Sequence, residues 1–438
     1  MRMRAMLGLL SLLASATWSQ AQTYSLTETR RVGETVRVEL TTSVRSTMKV
    51  TSEGQTQAIP VRADGTHTFV QKTLATDKEL ATKVARFYET AKSEMLIGSE
   101  KLARTLRDDR RLIVAQKSPE GVTTFSPTGA LNRDELDLVG EHFDTLYLAG
   151  ILPNRDVKGD EIWKLGNPTV QALCLFDGLI SHEMSGKVEE VKDGLAVLRI
   201  TGPATGTEAG AMVRVQVDAK VSYDLLRKRI LAIEWAQNDN RDLSPISPAM
   251  NSNITVTLKR TFLDEEPATL TSAALISVPT TDKVPEGMRQ LQHIDPKGRY
   301  RFLYPREWTI TGQTGNHLVM RLLDRGDFVA QATVSTWTKA APGKHLTPDE
   351  LKKLIGAQPG MELEGFLDEA EVPTDAGKWI YRITAKGVLN DIPVVQTFYA
   401  VAGPEGDQVV LFFTMKPGNV VKIGTHDVAL VNSLEFTK

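Results

Sequence analysis

The chain has 438 residues, 41% hydrophobic and 24% charged, with a formal charge of −2. That balance excludes a disordered chain, and it gives no basic surplus for nucleic acid or an anionic membrane surface. A single cysteine excludes an internal disulfide, so two or three domains' worth of chain must be held by its cores alone.

In chain order, Met1-Arg-Met-Arg4 is a basic start, Ala5 to Trp18 is mostly apolar, and Ser19-Gln-Ala21 is a small-x-small site. The pattern predicts a secretory signal peptide over residues 1–21, cut between Ala21 and Gln22, and hence a periplasmic or secreted protein. The apolar run falls short of the roughly 20 residues that a membrane-spanning helix needs. No later stretch reaches that length, so no transmembrane segment is expected. Gln22 stands where a lipoprotein would carry cysteine.

Glu34 to Leu40 alternates apolar and polar residues like a half-buried strand, and Ser43 to Val50 follows in the same style. Between Asp77 and Met95, Leu80, Val84, Phe87 and Ala91 fall at helical spacing, predicting a helix; Glu94 to Ile97 also reads as strand. Arg111 to Gln116 and Val122 to Phe125 flank a Pro/Gly turn and predict a hairpin. Asn132, with Glu135 three residues on, caps a short helix. Runs at 186–191, 195–200, 211–223 and 229–235 predict an antiparallel meander, with a Gly/Pro/Thr-rich turn between Ile200 and Ala211 and a further strand at 253–258. Residues 263–286 are polar and proline-bearing, predicting a linker with an extended stretch at Ala273–Val278.

From residue 287 onward the pattern is a compact α+β unit. Tyr300 to Tyr304 is a strand, ended by Pro305, and Trp308 resumes β structure. Strands at 317–323 and 328–337 form a hairpin. Thr347-Pro-Asp-Glu350 opens a helix, with Leu351, Leu354 and Ile355 on one face. Strands follow at 378–389, 392–402 and 408–415, then a helix near 422–432 and a closing strand, Ser433-Leu-Glu-Phe436.

This order, with its Tyr304-Pro-Arg-Glu-Trp308 start and Ser-Leu-Glu-Phe ending, resembles the PsbP/Mog1-like fold. The resemblance implies binding and assembly roles rather than turnover, and carries no set of functional residues. Residues 22–262, with Gly159-Asp-Glu-Ile-Trp163, look like uncharacterised secreted bacterial β-rich proteins. Their style is similar to the curved half-barrels of lipoprotein carriers. The fold expected is therefore α+β and β-rich: an antiparallel curved-sheet domain at 22–262, a linker at 263–286, and a PsbP/Mog1-like domain at 287–438.

Motifs for chemistry are weak. The seven histidines include no metal-binding spacing, so no metal or cofactor is expected. Ser181-His182-Glu183 are adjacent on a predicted strand, where neighbours face opposite ways and cannot act as one relay. Gly202 to Gly210 leads into a strand and not into the helix that a phosphate loop requires. Cys174 lies in an apolar run and reads as a small buried hydrophobe, against the alternative of a reactive thiol. Lys101, Arg104, Arg107, Arg110 and Arg111 form a candidate anion patch, diluted by Asp108 and Asp109. A solvated face is the other reading.

The function expected is a non-enzymatic envelope protein that binds a partner protein or assists assembly. A lipid or hydrophobic-ligand carrier using the curved sheet is the alternative, and a hydrolase is third.

Overall fold

The computed structural model describes residues 22–437 apart from 53–54, 120, 141–142, 209, 245–246, 282, 325–326 and 375–376. The signal-peptide expectation for residues 1–21 lies outside the described residues; Gln22 begins them, exposed.

The N-terminal half contains β1 (Thr23–Leu26), β2 (Thr35–Ser52), β3 (Gln55–Asp77), β4 (Leu80–Ile97), β5 (Glu100–Thr105), β6 (Leu112–Ser118) and β7 (Gly121–Phe125). Next come α1 (Arg133–Gly140), β8 (Arg155–Lys158), β9 (Ile162–Lys164), α2 (Asn167–Leu173) and β10 (Gly178–His182). The long strands β11 (Ser185–Lys192), β12 (Leu195–Glu208), β13 (Ala211–Asp224), β14 (Arg229–Arg241) and β15 (Ala249–Leu263) complete it. Its main sheet runs in the order β7-β6-β4-β3-β2-β15-β14-β13-β12-β11-β9, with β5 and β10 attached beside this path. All its named pairings are antiparallel.

The sheet is bent around residues 126–184. Arg86 on β4 bonds Asp144, and Trp163 on β9 donates through Nε1 to the Ile151 carbonyl at 3.0 Å. Strands β4 and β9 lie eight steps apart on the sheet path, about 38 Å if the sheet were flat. The chain from 144 to 151 is wound into turns and a 3-10 helix, far shorter than that. Phe143 meanwhile packs on Trp235 of β14, ring centroids 5.0 Å apart. The inner face of the sheet is thus filled by a plug of turns and short helices, and the apolar alternation seen in β13 is the record of that burial.

Several expectations change here. Residues 80–97 are strand β4, not a helix. The spacing of Phe87 and Ala91, helical in the sequence, spans a β-bulge: Phe69 pairs with Tyr88 and Thr68 with Thr90, so the register against β3 shifts by one residue. Val84, Ala85 and Arg86 are buried in a row because this part of β4 is covered on both faces. Ser43–Val50 continues β2 without a break. The Gly202–Gly206 stretch is likewise strand β12 and not a turn. Glycine serves close approach there: a Cβ on Gly206 would sit 2.5 Å from the Phe176 ring.

After Leu263, which ends β15, the segment to 285 forms turns across Ala273–Val278 and, among the described residues, no strand. It lies against the sheet's outer face. Leu270 is fully buried against Val70, Ala85 and Leu112, Lys72 holds the Leu270 carbonyl, and Lys83 holds that of Pro279.

The C-terminal half has α3 (Glu286–Arg289), β16 (Leu291–Ile294), β17 (Tyr300–Tyr304), β18 (Trp308–Gln313), β19 (His317–Asp324) and β20 (Asp327–Trp337). It continues with α4 (Pro348–Gly356), β21 (Met361–Glu371), β22 (Trp379–Leu389), β23 (Ile392–Ala402), β24 (Gln408–Met415), α5 (Val420–Ile423), α6 (His426–Asn432) and β25 (Glu435–Phe436). One sheet runs β18-β19-β20-β24-β23-β22-β21, and a smaller one β16-β17-β25. The capping box on α4 forms as its sequence dictates. The expected terminal helix is split at Gly424, whose φ is +55°. Strand β21 carried no expectation; Met361 is buried at its start and the run Phe366–Glu371 is exposed, which hides it from a period-two reading.

The two halves share one continuous core. Leu131 bridges Leu291, and the Gln292 amide donates to the Leu131 carbonyl at 2.8 Å.

Trp163 illustrates how the sequence element Gly159-Asp-Glu-Ile-Trp163 acts. The indole is buried and lies across Gly186, its direct partner on β11. A Cβ at Gly186 would fall inside the ring's own volume. Gly186→Ala is expected to destabilise the fold by about 1–3 kcal/mol, as overpacking does; an unchanged urea midpoint would remove this account of the glycine.

Candidate functional site

A cleft of about 840 Å³ opens beside the plug. Its walls come from the β6–β7 hairpin, α1, the turn at 144–147, α2 with the residues after it, the end of β12, and Arg306 from the C-terminal half. Each wall has a local cause. Asn132 caps α1: its Oδ1 accepts from the Glu135 amide at 2.7 Å, and Glu135 returns the contact to the Asn132 amide at 2.9 Å. This fixes Arg133, Leu136 and Asp137 on the cleft side. After α2 the chain turns sharply at Leu175, whose φ is +59°. That turn leaves Leu175 46% exposed and drives Phe176 inward to the cleft floor. Arg306 belongs to Tyr304-Pro-Arg-Glu-Trp308. Tyr304 and Trp308 are fully buried, so the loop between them is pinned and carries Arg306 back to the N-terminal half.

The charges are unevenly matched. Asp144 is committed to Arg86, which is wholly buried, and its Oδ1 also accepts from the Leu146 amide. Arg306 has no carboxylate partner among the described residues. It donates through Nε to the Arg289 carbonyl and through a terminal nitrogen to the Thr124 carbonyl, each at 2.6 Å. Burial, with Arg289 and Arg133 repelling, pushes its pKa down to about 10. Arg133 donates to the carbonyls of Arg306 and Trp308, at 2.8 and 3.1 Å; its Nε is buried and has no partner among the described residues. Its nearest carboxylate, Asp137, is at 4.0 Å and is held above the usual carboxylate range by burial. Val122, Leu136, Leu175 and Phe176 supply apolar surface beside these groups. The arrangement suits a molecule with one polar and one apolar end.

The candidate anion patch resolves differently from its sequence. Lys101 meets Glu94, Arg104 meets Asp134 and Asp137, Arg110 meets Asp109, and Arg111 meets Asp108. Arg107 forks onto Glu135 through two bonds of 2.6 and 2.7 Å. Each cation is matched by a carboxylate, which leaves little surplus charge for an external anion.

Cys174 is buried with its thiol pKa pushed up by burial, and its sulfur contacts Met184 at 3.9 Å. That environment disfavours the thiolate that reactivity needs. His182 bonds Asn167 and the Met184 amide. Among the described residues no group of three His, Cys, Asp or Glu converges as metal ligands, and no helix is long and apolar enough to cross a membrane.

A polar belt crosses the sheet's inner face near the cleft. Ser46 bonds Ser252, and Asp239 stands opposite Ser252 with Gln237 donating to it at 3.1 Å. Burial pushes the Asp239 pKa up to about 6, with Glu208 adding to it. A carboxyl whose folded pKa is raised costs stability once it ionises, between the unfolded value near 4 and about 6. Asp239→Asn is therefore expected to stabilise the protein by roughly 1–3 kcal/mol above pH 6, and by nothing below pH 4. Urea midpoints across that range check this; a gain that does not vary with pH would contradict it.

Beyond the belt, the strand ends carry uncovered apolar side chains on the same inner face. Met48 stands opposite both Met250 and Ile59, and Val61 opposite Ile97. All are half-buried, and Leu102 nearby is 49% exposed.

No family model matches the chain, and no curated protein matches its sequence. Among solved structures, the cyanobacterial PsbP (CyanoP) of Synechocystis sp. PCC 6803 is similar over 34% of this chain and 93% of its own, at 15% identity and a TM-score of 0.25. Lipovitellin, from a structure of lipid–protein interactions, is similar over 54% of this chain and 26% of its own, at 8% identity and a TM-score of 0.32. A DUF1329 family protein of Desulfovibrio piger ATCC 29098 is similar over 56% of this chain and 92% of its own, at 10% identity and a TM-score of 0.11. At such TM-scores these likenesses carry no argument about what the chain does.

Proposed function

We propose that this chain is an exported, non-enzymatic binding protein that holds an amphiphilic small molecule in the cleft. The observation that carries the reading is the cleft itself: about 840 Å³, within the range of small-molecule sites, with apolar side chains on one part of its wall and arginines on another. Export rests on the basic, apolar and small-residue pattern of residues 1–21. Asp144 in the cleft wall is engaged by the buried Arg86 and is not free for acid–base work. The test is native mass spectrometry of the protein purified from its own cell envelope. A lipid-sized adduct is expected on the wild type and absent from Leu175→Glu. A bare chain, or an adduct indifferent to Leu175→Glu, would overturn the reading.

A second reading is favoured by the uncovered apolar strand ends around Met48, Ile59 and Met250. Such a surface suits a partner protein or an assembly role. In the same experiment a co-purifying protein, lost on Met48→Glu, would support it.

A further inference from the structure

We infer that the cleft selects ligands with an anionic head, a carboxylate or a phosphate ester, and that Arg306 with Arg133 is the group that holds it. The inference rests on the reading of the cleft as a ligand site and adds the chemical class of its polar end.

Arg133 and Arg306 both line this end of the cleft, and the charges of Arg133 and Arg289 bear on the Arg306 guanidinium. Other arginines of the protein that are comparably enclosed are matched by acids: Arg86 by Asp144, Arg107 by Glu135, Arg260 by Glu28. Arg306 has only carbonyl oxygens as partners among the described residues. Carbonyls orient a guanidinium without neutralising it, so the charge persists in a partly desolvated place. The cleft's acids are Asp137, Asp144, Asp177 and Glu208, of which Asp144 is bound to Arg86 and Glu208 to Arg241. Asp137 stands off Arg133 at 4.0 Å and is shared with Arg104 at 3.7 Å, Asp134 is bound to Arg104 at 2.9 Å, and Glu307 is exposed beside Arg306 in the chain.

The guanidinium fork matches a carboxylate or phosphate in plane and spacing, so an anion entering here gains charge-assisted hydrogen bonds. The apolar side chains of Leu136 and Phe176 line the same cleft and would take the tail. A purely structural role, bracing the β7 carbonyl of Thr124 to the C-terminal half, needs donors but no net charge. The two roles separate in salt dependence and in preference for charged ligands.

The experiment uses the full chain without its leader and three probes below their micelle concentrations: dodecanoate, dodecyl phosphate and dodecanol. Binding is followed by calorimetry at low and high salt. At least one of the anions is expected to bind about tenfold or more tighter than dodecanol at low salt, as charged hydrogen bonds allow. That advantage should shrink as salt is raised. Arg306→Gln should abolish the advantage, so that in this variant the anions bind no tighter than dodecanol. The tighter of the two anions names the head.

Equal binding of all three probes, or an anion advantage untouched by Arg306→Gln, would overturn the inference but leave the cleft as a ligand site. Failure of every probe to bind would overturn both. If Arg306→Gln does not fold, Arg306→Lys keeps the cation, and the salt dependence of the wild type still decides.

Discussion

Replacing Glu28 by alanine is expected to destabilise the protein by about 3–5 kcal/mol, the usual cost of stranding one partner of a buried ion pair. Glu28 and Arg260 are both about 1% exposed, and a guanidinium nitrogen of Arg260 meets the two carboxylate oxygens at 2.8 and 3.0 Å. Arg30 approaches the same carboxylate at 3.1 Å. Arg229 and Arg30 also lie over the Phe262 ring, at 4.1 and 4.8 Å. Removing Glu28 leaves Arg260 without its carboxylate, since Glu34 serves Arg30 and Arg229. Burial already pushes the Arg260 pKa down to about 10 with Glu28 present. The double variant Glu28→Gln, Arg260→Met should lose less than Glu28→Ala, because no unpaired charge remains. Urea unfolding followed by tryptophan fluorescence measures both. A single variant within about 1 kcal/mol of the wild type would show that the pair stands idle.

Asp144→Ala is expected to cost a similar amount, about 3–5 kcal/mol, and to weaken ligand binding as well. Arg86 is completely buried, and its terminal nitrogens meet Asp144 at 2.7 and 3.3 Å. It also donates to Gln71 and Thr145. The same carboxylate accepts from the Leu146 amide and so shapes the turn that brings Tyr147 to the cleft wall. Asp144→Asn keeps the turn but halves the fork, and should fall between wild type and alanine. A stable Asp144→Ala with an altered cleft would contradict this coupling of packing to the site.

Much of the architecture is legible in the sequence where burial is one-sided. The β13 run alternates cleanly because one face meets the plug and the other meets water. The capping boxes at Asn132 and Thr347 announce α1 and α4 because their side chains act only on the next turn. The reading fails where two elements cover a strand. Around Val84–Arg86 both faces of β4 are buried, and the bulge beyond them imitates a helical step. It fails also at 263–286, whose few apolar residues, Leu270 above all, are enough to dock the segment on the sheet.

The candidate site was mostly hidden. Arg133 and Arg306 are far apart in the chain, and only the shared core of the two halves brings them together. The sequence carries one signal: Tyr304 and Trp308, two large aromatics four residues apart, bracket Arg306 and Glu307 in a loop that burial must hold still. The basic cluster at 101–111 is conspicuous in sequence, but a run of cations does not show the carboxylates of α1 lying opposite.

The most direct test of the central claim is photolabelling of the intact protein with a diazirine-bearing dodecanoate, followed by peptide mapping. The account predicts label on the cleft peptides that contain Val122, Leu136, Leu175 and Phe176, competed by unlabelled dodecanoate and lost in Arg306→Gln. Label confined to the strand ends around Met48, Ile59 and Met95 would place the apolar ligand on the open sheet instead and contradict the cleft as the binding site.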